Sequence, residues 1–398
     1  MIILKILFWF FLFIIFYTYI GYGILLGLLV QLKKLKSRNK KETGKDRDLP
    51  EVTLFITAYN EKDQIEAKVK NSTGLNYPKD KLKQVWVTDG SSDGTPELLR
   101  ETGGIEVYHE AERKGKIAAM NRGMQFIKTP VVVFSDANTL LGQDAVMRIV
   151  NLFEDPKVGC VSGEKRIFSH ETDTASGSGE GFYWKYESLL KKWDSELYSV
   201  VGAAGELFAI RTSLWQEVEP DTLLDDFVIS LRVAMHGYTI KYDPEAYAIE
   251  SASSDIQEEL KRKIRISAGG IQSVIRLKGL LNIFKYGILS FQYISHRVLR
   301  WMVSPFLLLL ILPVNYILFA DEKTPGIYSI IWIAQLVFYA FVILGKTLQS
   351  KPVKLKVIFV PYYFWIMNYS VYMGLIRYLK GKQSVVWEKA RRSQVRDQ

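Results

Sequence analysis

A single cysteine stands in the 398 residues, so no disulfide framework can brace this chain. One thiol fits a reducing compartment. Histidine is nearly as scarce: His109, His170, His236 and His296 are scattered, and with Cys160 they offer no zinc-binding spacing. No Walker-type phosphate loop is present. Internal repeats and low-complexity tracts are also missing, which argues against a solenoid or a disordered chain. The charge is lopsided, with 52 Lys and Arg against 42 Asp and Glu, a net +10. That excess raises nucleic acid as a partner, yet no recognition module accompanies it, so nucleic-acid binding is not expected.

What the sequence has in quantity is apolar length. Residues 2–32 are almost wholly apolar with one early lysine, more than the roughly 20 residues that cross a bilayer. The run is too long for a cleaved signal peptide and passes straight into KKLKSRNKK, so it reads as a retained anchor. Three further candidates lie at 299–320, 326–346 and 357–379. The mixed apolar, aromatic and basic stretch 281–298 suits a helix in the membrane surface plane or a linker helix packed on a soluble block. Eight Lys and Arg fall within 33–47, and more follow in KPVKLK and in the tail 381–398. Basic clusters beside apolar helices favour the cytoplasmic side and anionic membrane lipid. The expected layout is therefore a membrane helix at 1–32, a basic linker at 33–49, a cytoplasmic block at 50–280, an interfacial helix at 281–298, membrane helices at 299–380 and a basic tail at 381–398. Three C-terminal spans would put that tail outside, against the positive-inside tendency, so 357–379, with its Asn368 and many tyrosines, is the segment expected to be interfacial or re-entrant.

Within 50–280, short apolar runs alternate with helical patterns, which predicts a mostly parallel α/β sheet. VTLFIT, QVWVT, GIEVYH and VVVFSD read as strands, and Pro96 reads as the first turn of a helix capped by Thr95. Polar clusters follow the strand ends, where open α/β sheets bind ligands. Glu61, Asp89, Asp136 and the pair Asp225–Asp226 each follow an apolar run, and Lys114 and Lys116 add positive charge. Asp136 and Asn138 offer the hard oxygens that Mg²⁺ or Mn²⁺ shares with substrate phosphates. The blander alternatives stand beside these: Asp136 as a helix cap, Lys116 as a solvated charge, and Asp225–Asp226 as acids favoured at a helix start.

TAYNE (57–61), TDGSSDGT (88–95), ERKGKIAAMNRG (112–123), SDAN (135–138), GAAGELFAIR (202–211) and LLDDF (223–227) together resemble, in order, the landmarks of membrane-bound family 2 glycosyltransferases. The likeness is to the polysaccharide-synthase branch, with its cellulose, hyaluronan and poly-N-acetylglucosamine synthases. It implies a GT-A-type, Rossmann-like domain between an N-terminal transmembrane helix and a C-terminal group of transmembrane and interfacial helices. It further implies an inverting transferase that moves a sugar from a UDP-sugar to a growing polysaccharide or glycolipid, with polysaccharide-export partners. By resemblance, Ala58, Tyr59 and Glu61 belong to the uridine-contacting turn, Asp89 holds the base, and Lys116 lies near the diphosphate. Asp136 and Asn138 stand at the metal motif, Gly205 in the acceptor strand, Asp225 beside the general base Asp226, and Arg262 and Arg265 near the diphosphate. Two positions depart from the family: Asn138 replaces the second acid of the metal motif, and Ile266 replaces a tryptophan that stacks on the acceptor in processive members. Single addition to a polyprenyl-phosphate or other lipid acceptor is thus an alternative, and an inactive nucleotide-sugar-binding regulatory subunit a second.

Overall fold

VTLFITA is apolar along its length, and in the computed structural model it forms β1 (Val52–Ala58), a central strand covered on both faces. The structure describes residues 1–36, 48–168, 175–251, 256–348 and 359–381. Most of the basic linker, KPVKLK and the tail from 382 lie outside those residues.

The N-terminal helix runs as α1 (Ile2–Phe16) and α2 (Tyr22–Lys36) through a π-helical turn. After β1 come α3 (Lys62–Thr73), β2 (Leu82–Asp89), α4 (Thr95–Glu101), β3 (Glu106–Glu110), α5 (Lys116–Met124), β4 (Val131–Asp136) and β5 (Thr139–Leu141). They are followed by α6 (Ala145–Leu152), β6 (Val158–Phe168), α7 (Ala175–Leu197), β7 (Leu207–Arg211), α8 (Asp225–Met235), β8 (Thr239–Ser251) and α9 (Ile256–Arg276). The C-terminal part holds the short α10 (Ile283–Tyr286) and α11 (Ile288–Tyr293), then α12 (Ser304–Asp321), α13 (Ile327–Leu348) and α14 (Phe359–Leu379).

One eight-stranded sheet carries the soluble block, in the order β3-β2-β1-β4-β7-β6-β8-β5. The expected parallel pairing holds through β3, β2, β1 and β4, but β7 pairs antiparallel with both β4 and β6. The mixed half follows from the long α7 excursion, which returns the chain in the reverse direction. Apolar side chains cover both faces: Phe55, Val87, Met120 and Phe134 on one, Leu54, Ile56, Trp86 and Val133 on the other. The chain reverses its strand order between β1 and β4, and the register sets Thr57 opposite Asp136 and Ala58 opposite Thr88. The carboxyl ends of β1, β2 and β4 therefore share one edge, at the switch point where such sheets bind ligands. At α4 the cap differs from expectation. Gly94 occupies it at φ 92°, and Asp93 Oδ1 accepts from the Thr95 N–H and hydroxyl.

Among the described residues, three helices are long and apolar enough to cross a membrane: Ile2–Lys36, Ile288–Asp321 and Ile327–Leu348. At ~1.5 Å per residue, each of the two longer ones well exceeds the ~30 Å hydrocarbon core. Their surplus lies on the soluble block. Tyr186 and Trp193 of α7 approach Gly23 and Gly27 of α2 so closely that a Cβ would stand 2.6 and 3.2 Å from them. Of the stretch 281–298, read as a surface-plane helix or as a linker helix packed on the block, the part from Ile288 runs through a π-helical segment at Ile294–Val303 into one continuous helix with α12. Its polar face explains this. Buried His296 bridges Asp194 at 2.6 Å and Glu187 at 3.1 Å, and Arg300 pairs with Glu187 at 2.6 Å. Tyr22 donates to the same Asp194, so both membrane helices are bolted to α7. α14 is not among the three candidate spans. It packs on α9, with Tyr363 bonded to Lys263 and Gly374 closed against Ser267 and Ala268.

Candidate active site

The TAYNE turn is the first wall of the site. Asn60 adopts the left-handed conformation at φ 51°, which asparagine tolerates better than most residues. In that shape its N–H donates to Ser91 and its side-chain oxygen accepts from the Ser92 N–H, tying this turn to TDGSSDGT. Gly90, at φ 67°, lets the second turn pass Arg113; a Cβ there would stand 2.5 Å from Arg113 Cβ.

Asp89 is 4% exposed, and its Oδ2 accepts from the backbone N–H groups of Lys114 at 3.0 Å and Gly115 at 2.6 Å. Its other oxygen, Oδ1, has no hydrogen-bond partner among the described residues and stands 3.7 Å from the Arg122 guanidinium as an ion pair. A buried carboxylate oxygen with hydrogen-bonding capacity to spare suits a ring N–H of a nucleobase. The Arg113 guanidinium lies 3.6 Å over the Tyr59 ring, adding a flat cationic surface beside it.

Lys116, at the start of α5, joins the strand edge to α8. Its ammonium donates to Asp136 Oδ1 at 2.9 Å and pairs with Asp225 Oδ2 at 3.3 Å. Burial alone would lower this lysine, yet Asp136 and Asp225 outweigh it and hold the group charged well above the usual lysine range. Burial raises the Asp136 carboxyl, and Lys116 offsets only part of that. Burial and the adjacent Asp225 push the Asp226 carboxyl up to about 7. Behind β4, the buried Lys68 ammonium donates to Ser135 Oγ and to the Thr139 carbonyl, both at 2.7 Å. It thereby braces the turn that carries Asp136 and Asn138. Burial drives Lys68 down to about 7, against the pull of Asp136.

An open cleft is lined by Ala58, Tyr59, Glu61, Asp89, Lys116, Asp136 and Asn138, all singled out from sequence. Thr57, Arg113, Gly115, Ala119 and Ala137 complete its walls and were not. Asp225 joins the cleft through Lys116. Gly205 faces Asp226 so closely that a Cβ would stand 3.2 Å from its Oδ2. Arg265 lies within the fields of Asp225 and Asp136, and burial lowers its guanidinium. Arg262 points to other company: Glu250 at 3.5 Å and Glu259 at 3.4 Å. Among the described residues no group of three or more acids, histidines or cysteines converges on a metal position. A divalent ion fits here only if substrate phosphate and water complete the shell begun by Asp136 and Asn138, which is the habit of Mg²⁺.

A cleft at the switch point of a mixed sheet, with a lysine held between acids and candidate membrane helices attached, is the architecture of GT-A-type folds. Residues 50–269 match the family model described as Glycosyltransferase like family 2. The chain belongs to the family 2 glycosyltransferases. It is 29% identical over 250 residues to a poly-beta-1,6-N-acetyl-D-glucosamine synthase of Staphylococcus aureus strain MSSA476, covering 60% of this chain and 59% of that one. A synthase of the same name from Staphylococcus epidermidis is 24% identical over 238 residues, 56% of each chain. The chain thus spans less than two thirds of these relatives' length. Among solved structures, the mannosyltransferase PcManGT from Pyrobaculum calidifontis, in complex with GDP-Man and Mn²⁺, is similar at TM-score 0.65 and 24% identity. That likeness covers 91% of this chain and 99% of the other, and it concerns the fold.

Proposed function

We propose that the chain is a membrane-embedded, inverting glycosyltransferase that moves a sugar from a UDP-sugar to a hydroxyl of a growing polysaccharide or lipid-linked acceptor. One observation carries this. Asp89 and Asp136, from separate strands, line one cleft with Lys116, and Lys116 pairs with both Asp136 and Asp225, the neighbour of Asp226. In this reading Asp89 accepts from the base through Oδ1, while Ala58, Tyr59 and Glu61 line the nucleoside. Asp136 and Asn138 would hold Mg²⁺ or Mn²⁺, which when bound supplies positive charge for the departing diphosphate. Lys116 and Arg265 add fixed positive charge beside it.

The acceptor oxygen attacks the anomeric carbon from the face opposite the diphosphate, the C–O bond to the diphosphate breaks, and Asp226 takes the acceptor's proton. A carboxyl pushed up to about 7 is well matched to that exchange near neutral pH. The basic last turn of the N-terminal helix, Lys33, Lys34 and Lys36, supports a cytoplasmic position for the catalytic block. The poly-N-acetylglucosamine synthase relatives support a polymer as product. Ile266, at the position of the stacking tryptophan, supports the second reading, one addition per acceptor.

The test is metal-dependent turnover of the full chain in lipid nanodiscs with a panel of UDP- and GDP-sugars, with product sizing. Sugar transfer from a UDP-sugar is expected. Absence of turnover with every donor would remove the function, and transfer from GDP-sugars alone would remove the uridine assignment.

A further inference from the structure

A ladder of alternating charges leaves the neighbourhood of Asp226 and ends on α14. Its first rung is Glu206, which follows Gly205 and bonds Lys165 of β6 at 2.6 Å. Lys165 is only 4% exposed in its side chain and bonds Glu250 of β8 as well. Arg262 of α9 takes up Glu250 at 3.5 Å and Glu259 at 3.4 Å. Lys263 closes on Glu259 at 2.7 Å and donates to the Tyr363 hydroxyl of α14 at 2.9 Å.

Glu206 is not among the residues lining the donor cleft, yet its charge reaches both Asp226 and Asp136. Its side chain keeps 20% exposure while Lys165 fixes one oxygen. A carboxylate offers about four lone-pair sites, so acceptor capacity remains. Its ionisation runs opposite to that of Asp226: burial opposes it, but Lys165 holds the Glu206 carboxyl down to about 2. Two acids in one site with ionisation pushed apart divide their roles. Asp226 can exchange a proton, whereas Glu206 stays an acceptor of hydrogen bonds.

Resting on the transferase reading above, we propose that Glu206 binds the acceptor: it receives a hydrogen bond from a hydroxyl neighbouring the one that Asp226 deprotonates. The Lys165–Glu250–Arg262–Glu259–Lys263 ladder positions it relative to α14. Arg262 is then a positioning residue. The proposal names the acceptor class. A fixed carboxylate beside the base welcomes a polyhydroxylated sugar end and repels a bare phosphate monoester.

The test uses the full chain in nanodiscs with its active UDP-sugar. The probe acceptors are a short oligosaccharide of the donor's own sugar and polyprenyl phosphate in phosphatidylcholine vesicles. The wild type is expected to prefer the oligosaccharide. Glu206→Gln is expected to raise the oligosaccharide KM about tenfold while UDP affinity, which reports an intact fold, stays unchanged. Arg262→Gln raises the same KM less, and Arg262→Lys recovers part of the loss. An unchanged oligosaccharide KM in Glu206→Gln, a rise confined to the donor KM, or wild-type preference for polyprenyl phosphate overturns the proposal. Failure of the wild type with every donor is a different result, because it removes the transferase reading itself.

Discussion

The proposed donor cleft and the proposed acceptor site next to it are held together differently. On the donor side, β1, β2 and β4 end in register, and backbone groups do the holding: the N–H groups of Lys114 and Gly115 grip Asp89, and Asn60 knits the two turns. On the acceptor side, Gly205, Glu206 and Asp226 lie where the sheet turns antiparallel, and side-chain ion pairs from β6, β8 and α9 do the holding. Backbone contacts fix a nucleotide site whatever the surrounding charges. The ion ladder ties its site to α9 and α14.

The largest expected effect isolates the acceptor side. Asp226→Asn should lower kcat by about 10²–10⁴-fold, the usual worth of a positioned base, with UDP affinity unchanged by calorimetry. Asp89→Ala should do the converse, weakening UDP binding by about 10–100-fold as a charged hydrogen-bond partner disappears. Gly205→Ala sharpens the border between the two sides. Its Cβ would lie 3.2 Å from Asp226 Oδ2, so kcat should fall about tenfold while UDP still binds.

The pH profile of kcat reads the same border. Asp226 must be deprotonated to act, and its carboxyl is raised to about 7, so activity should climb as pH rises through that region. An acid limb near the ordinary aspartate range, about 4, would show that burial does not govern this group. The smallest effect belongs to the support behind β4. Lys68→Met leaves the Thr139 carbonyl and Ser135 hydroxyl without their donor and should cost about 1–3 kcal/mol of stability, read as a lower Tm.

How much of this was legible from sequence follows the same division. The donor side rests on short apolar strands that stop on polar turns, a local signal, and TAYNE, TDGSSDGT and SDAN disclosed it. The stacking of Arg113 on Tyr59 joins residues far apart in the chain, and nothing near either one announced it. Lys68 did leave a trace. It follows Ile65 by one helical turn on the buried side of α3, where a lysine has no solvent to face. Glu206 lay inside GAAGELFAIR, but its partner Lys165 is on another strand and its role there was invisible. The motif places Arg262 near the diphosphate, whereas its ion pairs with Glu250 and Glu259 carried no sequence signal. The continuous helix at Ile288–Asp321 was hidden for a related reason. His296 and Arg300 look interfacial until Asp194 and Glu187 are seen to receive them.

A side-by-side calorimetric titration of UDP into Asp226→Asn and Asp89→Ala tests the division of the cleft most directly. Wild-type affinity in the first and a clear loss in the second is the expected result. Equal losses in both, or a loss confined to Asp226→Asn, would contradict it.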